Sequence, residues 1–309
     1  MTRSAPSGVA APGHPANPPA APGWSPLVLP RRYLWLSVAA ALVAAAGSVV
    51  GLVANQRIYG RETADFIDAS TAQDAVNLLV VAPLIVLLGR RASSGSVPAY
   101  TMWLGCLAFT AYSYAIYAFS IHFGSLFLAW VAVLGLAFYA LVGALVRVDT
   151  APVARWFGHR AMPVTVWTLG LAAGASGLLW LSQILPELLA GKDSASAAAL
   201  NLPTNPVYVL DLAIFLPAVL CSAVLLRRRH PVGYTTAPGV MVFLGLTCAP
   251  VVVTPLMALA HGRSAAWGAA LPLGAVLVLT LAVLRRTLRR APSAVAPEPN
   301  PDHPLEATS

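Results

Sequence analysis

The chain has 309 residues, of which 58% are hydrophobic and only 10% are charged. A soluble domain of this length carries about a quarter charged residues, so the composition excludes an ordinary soluble protein and indicates an integral membrane protein. The formal net charge of +8 does not indicate a nucleic-acid partner. The basic residues lie in short clusters between long apolar runs, as membrane topology requires, and we expect the lipid bilayer to be the partner.

The two ends of the chain are predicted to be disordered tails. Residues 1–30 and 291–309 are rich in Ala and Pro and lack a periodic apolar pattern, so they cannot bury enough surface to offset the entropy of ordering. Residues 31–290 are predicted to form one all-α transmembrane domain. Eight apolar segments, each near the ~20 residues that cross ~30 Å of hydrocarbon, lie at 33–54, 72–90, 98–119, 124–147, 162–189, 206–226, 235–260 and 265–285.

Lysine and arginine alternate between the two sides of these predicted helices. Fifteen of the 19 fall on the side that holds both termini, and four fall on the other side: Arg57, Arg61, Lys192 and Arg263. The positive-inside rule therefore predicts that both termini are cytoplasmic. An odd number of helices would break the alternation, so the charges favour eight. We expect a multi-pass protein of a bacterial inner (cell) membrane, and the sequence does not predict its oligomeric state.

A shift of about 134 residues lays the first four predicted helices on the last four. In the second segment Asn77 precedes Pro83 by six residues, and in the sixth Asp211 precedes Pro217 by six residues. Further landmarks that we match between the halves are Pro98 with Pro238, and Leu104-Gly105 with Leu244-Gly245. The pattern suggests repeats at about 33–147 and 162–285, parallel and related by an axis along the membrane normal. The alternative is a chance alignment of apolar helices that contain prolines.

Two acids, Asp74 and Asp211, lie inside apolar segments, where a carboxyl group is costly and marks a candidate functional site. Asn77 lies one helical turn from Asp74, and the 134-residue shift pairs it with Asp211. Tyr117 and Gln183 lie towards the same outer side, on the third and fifth segments. These five residues predict an outward-facing site for a small polar solute or a cation, used for transport or sensing.

The same polar groups also have a structural interpretation. Polar side chains between membrane helices form hydrogen bonds that contribute roughly 0.6–2 kcal/mol each. We favour this role for the polar stripe of the third segment, which consists of Thr110, Ser113, Tyr117 and Ser120. For Asp74 and Asp211 we favour a ligand-binding role. Asp65 and Asp68, in the preceding loop, are predicted to lie on a solvated surface.

The sequence predicts no cofactor, no metal site and no catalytic residue. Cys106, Cys221 and Cys248 have no second cysteine or histidine at metal-ligand spacing. No phosphate-binding glycine loop and no Gly-x-Ser-x-Gly motif is present. Two alternatives to the ligand site remain. The first is a non-catalytic helix-packing or assembly protein, and the second is a membrane enzyme that uses outer acids on a lipid or envelope precursor; we favour a non-enzymatic role.

Three stretches together resemble a family of uncharacterised multi-pass bacterial membrane proteins. They are Ala72-Gln73-Asp74 through Asn77 to Pro83, Tyr112-Ser113-Tyr114-Ala115, and Asn205-Pro206-Val207-Tyr208-Val209-Leu210-Asp211 with Leu216-Pro217, Arg227-Arg228 and Gly233-Tyr234. The resemblance covers most of the predicted membrane region and neither tail. It implies the multi-helix architecture without a known activity, and it draws attention to Asp74 and Asp211, which lie inside the matching stretches.

Overall fold

A computed structural model of the protein describes residues 29–289, and this part of the chain is all-helical. The prediction of eight long apolar helices is confirmed here, since eight helices are long and apolar enough to cross a membrane. We label them α1 (Arg31–Val53), α2 (Ala64–Ser93), α3 (Val97–Ser120), α4 (Phe127–Arg147), α5 (Pro163–Leu189), α6 (Pro206–Arg227), α7 (Pro231–Ala260) and α8 (Ala270–Thr287). Short helices Asn55–Tyr59, Ala151–Trp156 and Ala195–Ala199 lie in the connections. The predictions for the tails concern residues outside the described range, apart from Leu29 and Pro30.

Helix α2 begins eight residues before the predicted segment 72–90. Its first two turns carry Asp65 and Asp68, whose polarity hides this part of the helix from a hydropathy pattern. The prediction of a solvated surface is right for Asp65, whose side chain is 85% exposed, and wrong for Asp68, whose side chain is 4% exposed. Asp68 is buried because His261 and Arg263, from the connection between α7 and α8, bind its carboxylate.

Two of the long helices contain a π turn followed by a proline. The π turns are Asn77–Val81 in α2 and Asp211–Phe215 in α6, and each leads to a proline, Pro83 or Pro217, two residues after its end. Proline has no N–H to donate and its ring clashes with the carbonyl four residues earlier, so the one-residue bulge relieves the clash. The two turns are 134 residues apart, which is the shift found in the sequence.

The long helices form two rings of four. Helix α1 packs on α2, α2 on α3, α3 on α4 and α4 on α1, and the same order of contacts joins α5, α6, α7 and α8. The rings meet where α7 packs against α2 and α3. The equal topology supports the predicted repeat, although the repeat itself stays a prediction.

The crossing of α3 and α7 indicates the register of that repeat. A Cβ atom on Gly105 would overlap the backbone of Gly239, and one on Gly239 would lie 2.7 Å from the Thr101 carbonyl oxygen. Gly105 and Gly239 are themselves 134 residues apart. At this shift Tyr100-Thr101, Gly105 and Phe109 correspond to Tyr234-Thr235, Gly239 and Phe243. The landmarks Pro98 with Pro238 and Leu104-Gly105 with Leu244-Gly245 are six residues out of this register.

Polar and apolar side chains are distributed as expected for a bundle surrounded by hydrocarbon. Helix α3 is the most enclosed, and its buried side chains include Tyr100, Trp103 and Phe109. Large aliphatic side chains lie on the outside instead, for example Leu79 at 72% and Leu189 at 85% exposure. A soluble protein rarely exposes such an extensive apolar surface.

Basic residues divide the described chain into two ends. We call one the arginine-rich end; it holds Arg31, Arg32, Arg90, Arg91, Arg147, Arg155, Arg160, Arg227, Arg228, Arg229, Arg285, Arg286 and Arg289. We call the other the arginine-poor end; it holds Arg57, Arg61, Lys192 and Arg263. The predicted site residues lie in the half of the bundle nearer the arginine-poor end.

Candidate functional site

The five predicted site residues separate into two clusters. Asp74 and Tyr117 belong to the first, which we call the Asp74 cluster and which also contains Ser48 and Tyr59. Asn77 lies one turn further along α2. Asp211 and Gln183 belong to the second, which we call the Asp211 cluster and which also contains Tyr112, Trp180 and Tyr208. Helix α3 joins the two, since Tyr117 contacts the first and Tyr112 the second.

The carboxyl group of Asp74 is enclosed by hydroxyl donors. Ser48 and Tyr117 donate to its Oδ1 at 3.0 and 3.3 Å, and Tyr59 donates to its Oδ2 at 2.6 Å. Asp74 is 1% exposed, and the three donor residues are buried as well. Both carboxyl oxygens thus have protein partners, as a buried polar group requires, and these partners come from α1, the following short helix and α3.

Close approach of α1 to α2 makes this cluster possible. Gly51 lies one turn after Ser48 on the same face of α1. A Cβ atom at Gly51 would overlap Asp74 Oδ2 and would lie 2.7 Å from the Tyr59 hydroxyl oxygen. Glycine is therefore the residue that fits here. Ser48 and Tyr59 were not among the predicted residues, because Ser48 resembles any small packing residue and Tyr59 lies outside the apolar segments.

Asn77 carries an unsatisfied donor. Gln73 Nε2 donates to Asn77 Oδ1 at 2.9 Å, whereas Asn77 Nδ2 has no protein acceptor in the described chain. Asn77 is 2% exposed and is the first residue of the π turn. A buried amide of this kind is suited to hold an ordered water molecule.

The carboxyl group of Asp211 has a different environment, formed mainly by aromatic rings. Trp180 Nε1 donates to Asp211 Oδ2 at 2.9 Å, and the Tyr112 side chain lies within range of the same carboxyl group. The Trp180 and Tyr208 rings are 5.0 Å apart, and the Tyr208 hydroxyl donates to Gln183 Oε1 at 2.5 Å. Asp211 is only partly buried and Gln183 is exposed, so this cluster is open where the Asp74 cluster is closed.

More aromatic rings extend the Asp211 cluster towards α7. Tyr112 makes edge contacts with Phe215 and Phe243, with ring centroids 4.8 and 5.4 Å apart. Phe215 and Phe243 are stacked at 4.7 Å. The π turn that begins at Asp211 ends at Phe215, so one local irregularity positions both the carboxyl group and a ring. A carboxyl group bordered by aromatic rings is suited to a cation.

An ionic cluster at the arginine-poor end ties the two rings of helices together. His261 Nδ1 lies 2.6 Å from Asp68 Oδ1, and its Nε2 lies 3.0 Å from Asn55 Nδ2. Arg263 binds both Asp65 and Asp68. The hydrogen bond with Asp65 and the two nearby carboxylates raise the pKa of Arg263 above its ordinary value, so this side chain stays charged. Sequence analysis missed these pairs because they join residues almost 200 positions apart.

A second buried acid lies at the same end. Glu62 Oε1 accepts hydrogen bonds from the His122 backbone amide at 2.8 Å and lies 2.9 Å from His122 Nδ1. Within residues 29–289, no three side chains of His, Cys, Asp or Glu come together as a metal site requires. Cys106, Cys221 and Cys248 are free thiols.

Comparison with known proteins gives no match: no family model, no curated protein and no solved structure matches the chain. The class of the protein is therefore defined by its own sequence and structure, as an all-helical protein with eight helices capable of crossing a membrane. The resemblance to multi-pass bacterial membrane proteins remains a prediction.

Proposed function

We propose that the protein resides in a bacterial inner membrane with both termini in the cytoplasm, and that it binds a small cationic ligand from the outer side, for transport or sensing. The observation that carries this proposal is the partly buried Asp211 carboxyl group beside the Trp180 indole. The charge asymmetry between the two ends of the bundle supports the orientation.

The choice of a cation rests on the chemistry of the Asp211 cluster. An aromatic face attracts a cation by about 0.5–2 kcal/mol, and more when water is excluded. Trp180, Tyr208 and Tyr112 supply such rings around one carboxyl group. A small organic ammonium ion would use the rings and the carboxyl group together, whereas a hydrated sodium ion would gain little from the rings.

In this proposal Asp74, Asn77 and Tyr117 support the site and do not contact the ligand. The Asp74 carboxyl group already has three donors, and Tyr117 also donates to the Ser70 carbonyl at 3.0 Å. These contacts hold α1 and α2 against α3. Since α3 also carries Tyr112, the Asp74 cluster positions one wall of the Asp211 cluster.

The two alternative functions differ from this one in what they require. A membrane enzyme of the kind considered above needs two carboxyl groups in one cleft, but Asp74 and Asp211 have separate hydrogen-bond partners. A helix-packing protein needs no ligand site, and the enclosed Asp74 cluster agrees with that role. Ligand binding at Asp211 therefore separates the proposal from the packing alternative.

The test is thermal unfolding of the purified protein in detergent with sodium, potassium or tetramethylammonium chloride at equal ionic strength. Tetramethylammonium at ten times its Kd should stabilise the parent by about 1.4 kcal/mol, which raises Tm by roughly 3–5 °C for a chain of this size. Asp211→Asn and Trp180→Leu should abolish this selective stabilisation. Asp193→Asn, which removes an exposed carboxylate on the same side, should preserve it.

Equal Tm values in the three salts for the parent would contradict binding of an organic cation. Selective stabilisation that persists in Asp211→Asn would show that the cation binds elsewhere. Either result would favour the helix-packing interpretation of the polar residues.

A further inference from the structure

A cavity of about 640 Å³ opens at the arginine-rich end, between the beginning of α5 and the end of α8. Four arginines line it: Arg160, Arg285, Arg286 and Arg289. The first residues of α5, Pro163 to Thr165, form another part of the wall, and no carboxylate lies in the lining. This cavity is at the opposite end of the molecule from the Asp211 cluster.

The positive charge around this cavity has no protein counter-ion in the described chain. Every ion pair found among residues 29–289 lies at the arginine-poor end, and none involves the four arginines. Guanidinium groups remain charged at any physiological pH. Four like charges around one cavity repel one another, so an anion that enters would lower their electrostatic energy.

Hydrogen-bond donors face this cavity in a fixed frame. Helix α5 has 27 residues, and at its start Val164 and Thr165 have amide N–H groups without an acceptor inside the helix. Arg160 donates to the Thr287 carbonyl at 2.6 Å, and the Thr165 and Thr287 hydroxyl groups are 2.7 Å apart. These contacts join α5 to α8 and leave other N–H groups of Arg160 free to donate, since a guanidinium has five.

From this arrangement we propose that the cavity binds a phosphate group, supplied by an anionic phospholipid of the adjacent leaflet. Arginine matches phosphate oxygens with paired N–H donors, and a helix N-terminus adds backbone donors. The lining also contains Ala161, Met162, Val164 and Ala282, which suit the glycerol and upper acyl region of a lipid. The volume exceeds that of a phosphate ion and falls in the range of small-molecule sites.

Arginines at this end also have a simpler explanation, since membrane topology alone favours them. The chain offers a matched control for that explanation. Arg90 and Arg91 lie at the same end and are exposed in the last turns of α2, but they do not line the cavity. A general attraction to anionic lipid would depend on both pairs of arginines, whereas a specific site would depend on the cavity pair.

The experiment measures lipid binding to the detergent-purified full chain by native mass spectrometry and by thermal unfolding. Phosphatidylglycerol should bind the parent more tightly than phosphatidylcholine does. The double variant Arg286→Gln/Arg289→Gln should bind phosphatidylglycerol at least about tenfold more weakly, because charge-assisted contacts are lost. The control Arg90→Gln/Arg91→Gln should bind it with less than about a threefold change.

A parallel arm with inorganic phosphate identifies the source of the phosphate group. Stabilisation by phosphatidylglycerol alone supports a lipid site. Stabilisation by inorganic phosphate alone, lost in the Arg286→Gln/Arg289→Gln variant, overturns the lipid source and keeps a phosphate site. If that variant does not fold, Arg286→Lys/Arg289→Lys retains the charge but loses the paired donors, and should bind several-fold more weakly. Equal binding of both lipids by the parent without a phosphate effect, or equal losses in cavity and control variants, would overturn the proposal.

Discussion

Two carboxyl groups in apolar helices have different numbers of partners. Asp74 accepts from Ser48, Tyr59 and Tyr117 and is almost completely buried, whereas Asp211 accepts from the Trp180 indole and is partly exposed. A buried polar group that loses its partners costs about 1–3 kcal/mol. We therefore assign Asp74 to the framework of the bundle and Asp211 to its chemistry.

Gly51 and Gly47 give a matched pair of substitutions for the Asp74 cluster. Gly51→Ala should lower the free energy of unfolding by about 1–3 kcal/mol, because the new Cβ overlaps Asp74 and Tyr59. Gly47→Ala meets no atom within 4 Å and should be neutral or stabilising by up to about 1 kcal/mol. Chemical or thermal unfolding in one detergent compares the two. Equal stability of the two variants would contradict the close approach of α1 to Asp74.

Sequence analysis identified part of each cluster. The cost of a carboxyl group in an apolar segment pointed to Asp74 and Asp211, and helical spacing pointed to Asn77 and Tyr117. Tyr59 and Trp180 could not be identified in this way. Their contacts depend on how the helices are rotated and which helices are neighbours, and a single sequence does not specify either.

At the scale of single helices, the π turns are the most informative features. A π turn contains one residue more than the α-helix around it, and in α2 and α6 this residue precedes a proline. The hydrophobic pattern of an apolar segment does not indicate such a bulge. The polar residue six positions before each proline was visible in the sequence, but its local backbone conformation was not.

Deleting one residue inside a π turn should be tolerated better than deleting one outside it. Removal of Leu79 converts the turn to an α-helix and keeps the register of both flanks, at a cost of up to about 3 kcal/mol from Pro83. Removal of Leu87 rotates the rest of α2 by about 100° and displaces the buried Gly89. Both leucines are exposed.

Size-exclusion chromatography and thermal unfolding report the outcome for these two deletions. We expect the Leu79 deletion to yield a monodisperse protein of reduced stability, and the Leu87 deletion to aggregate. The opposite order would show that the bulge in α2 is required for folding.

The whole molecule is two rings of four helices that meet at α2, α3 and α7. The count of long helices followed from segment length and from the alternation of basic residues. The pairing of the rings did not, because it depends on a glycine crossing and on the ionic contacts of Asp68 with His261 and Arg263. These are contacts between distant positions, which local sequence patterns do not encode.

Substitution of Gly239 should weaken the contact between the rings. In Gly239→Ala the new Cβ would lie 2.7 Å from the Thr101 carbonyl oxygen and 3.2 Å from the Gly105 amide nitrogen, and backbone atoms cannot easily move away. We expect a loss of about 1–3 kcal/mol in the free energy of unfolding. Gly245→Ala on the same helix meets only side-chain atoms at 3.5 Å or more and serves as the control. Similar stability of both variants would contradict the α3–α7 crossing.

The most direct test of the account is to compare Asp74→Asn with Asp211→Asn in thermal unfolding, with and without tetramethylammonium. Asparagine at position 74 places an amide donor where a hydroxyl donor now points, so Tm should fall in all salts. Asparagine at position 211 keeps an oxygen for Trp180, so Tm without ligand should stay close to that of the parent while the tetramethylammonium effect disappears. A destabilised Asp211→Asn variant beside an unchanged Asp74→Asn variant would contradict the assignment of the two carboxyl groups.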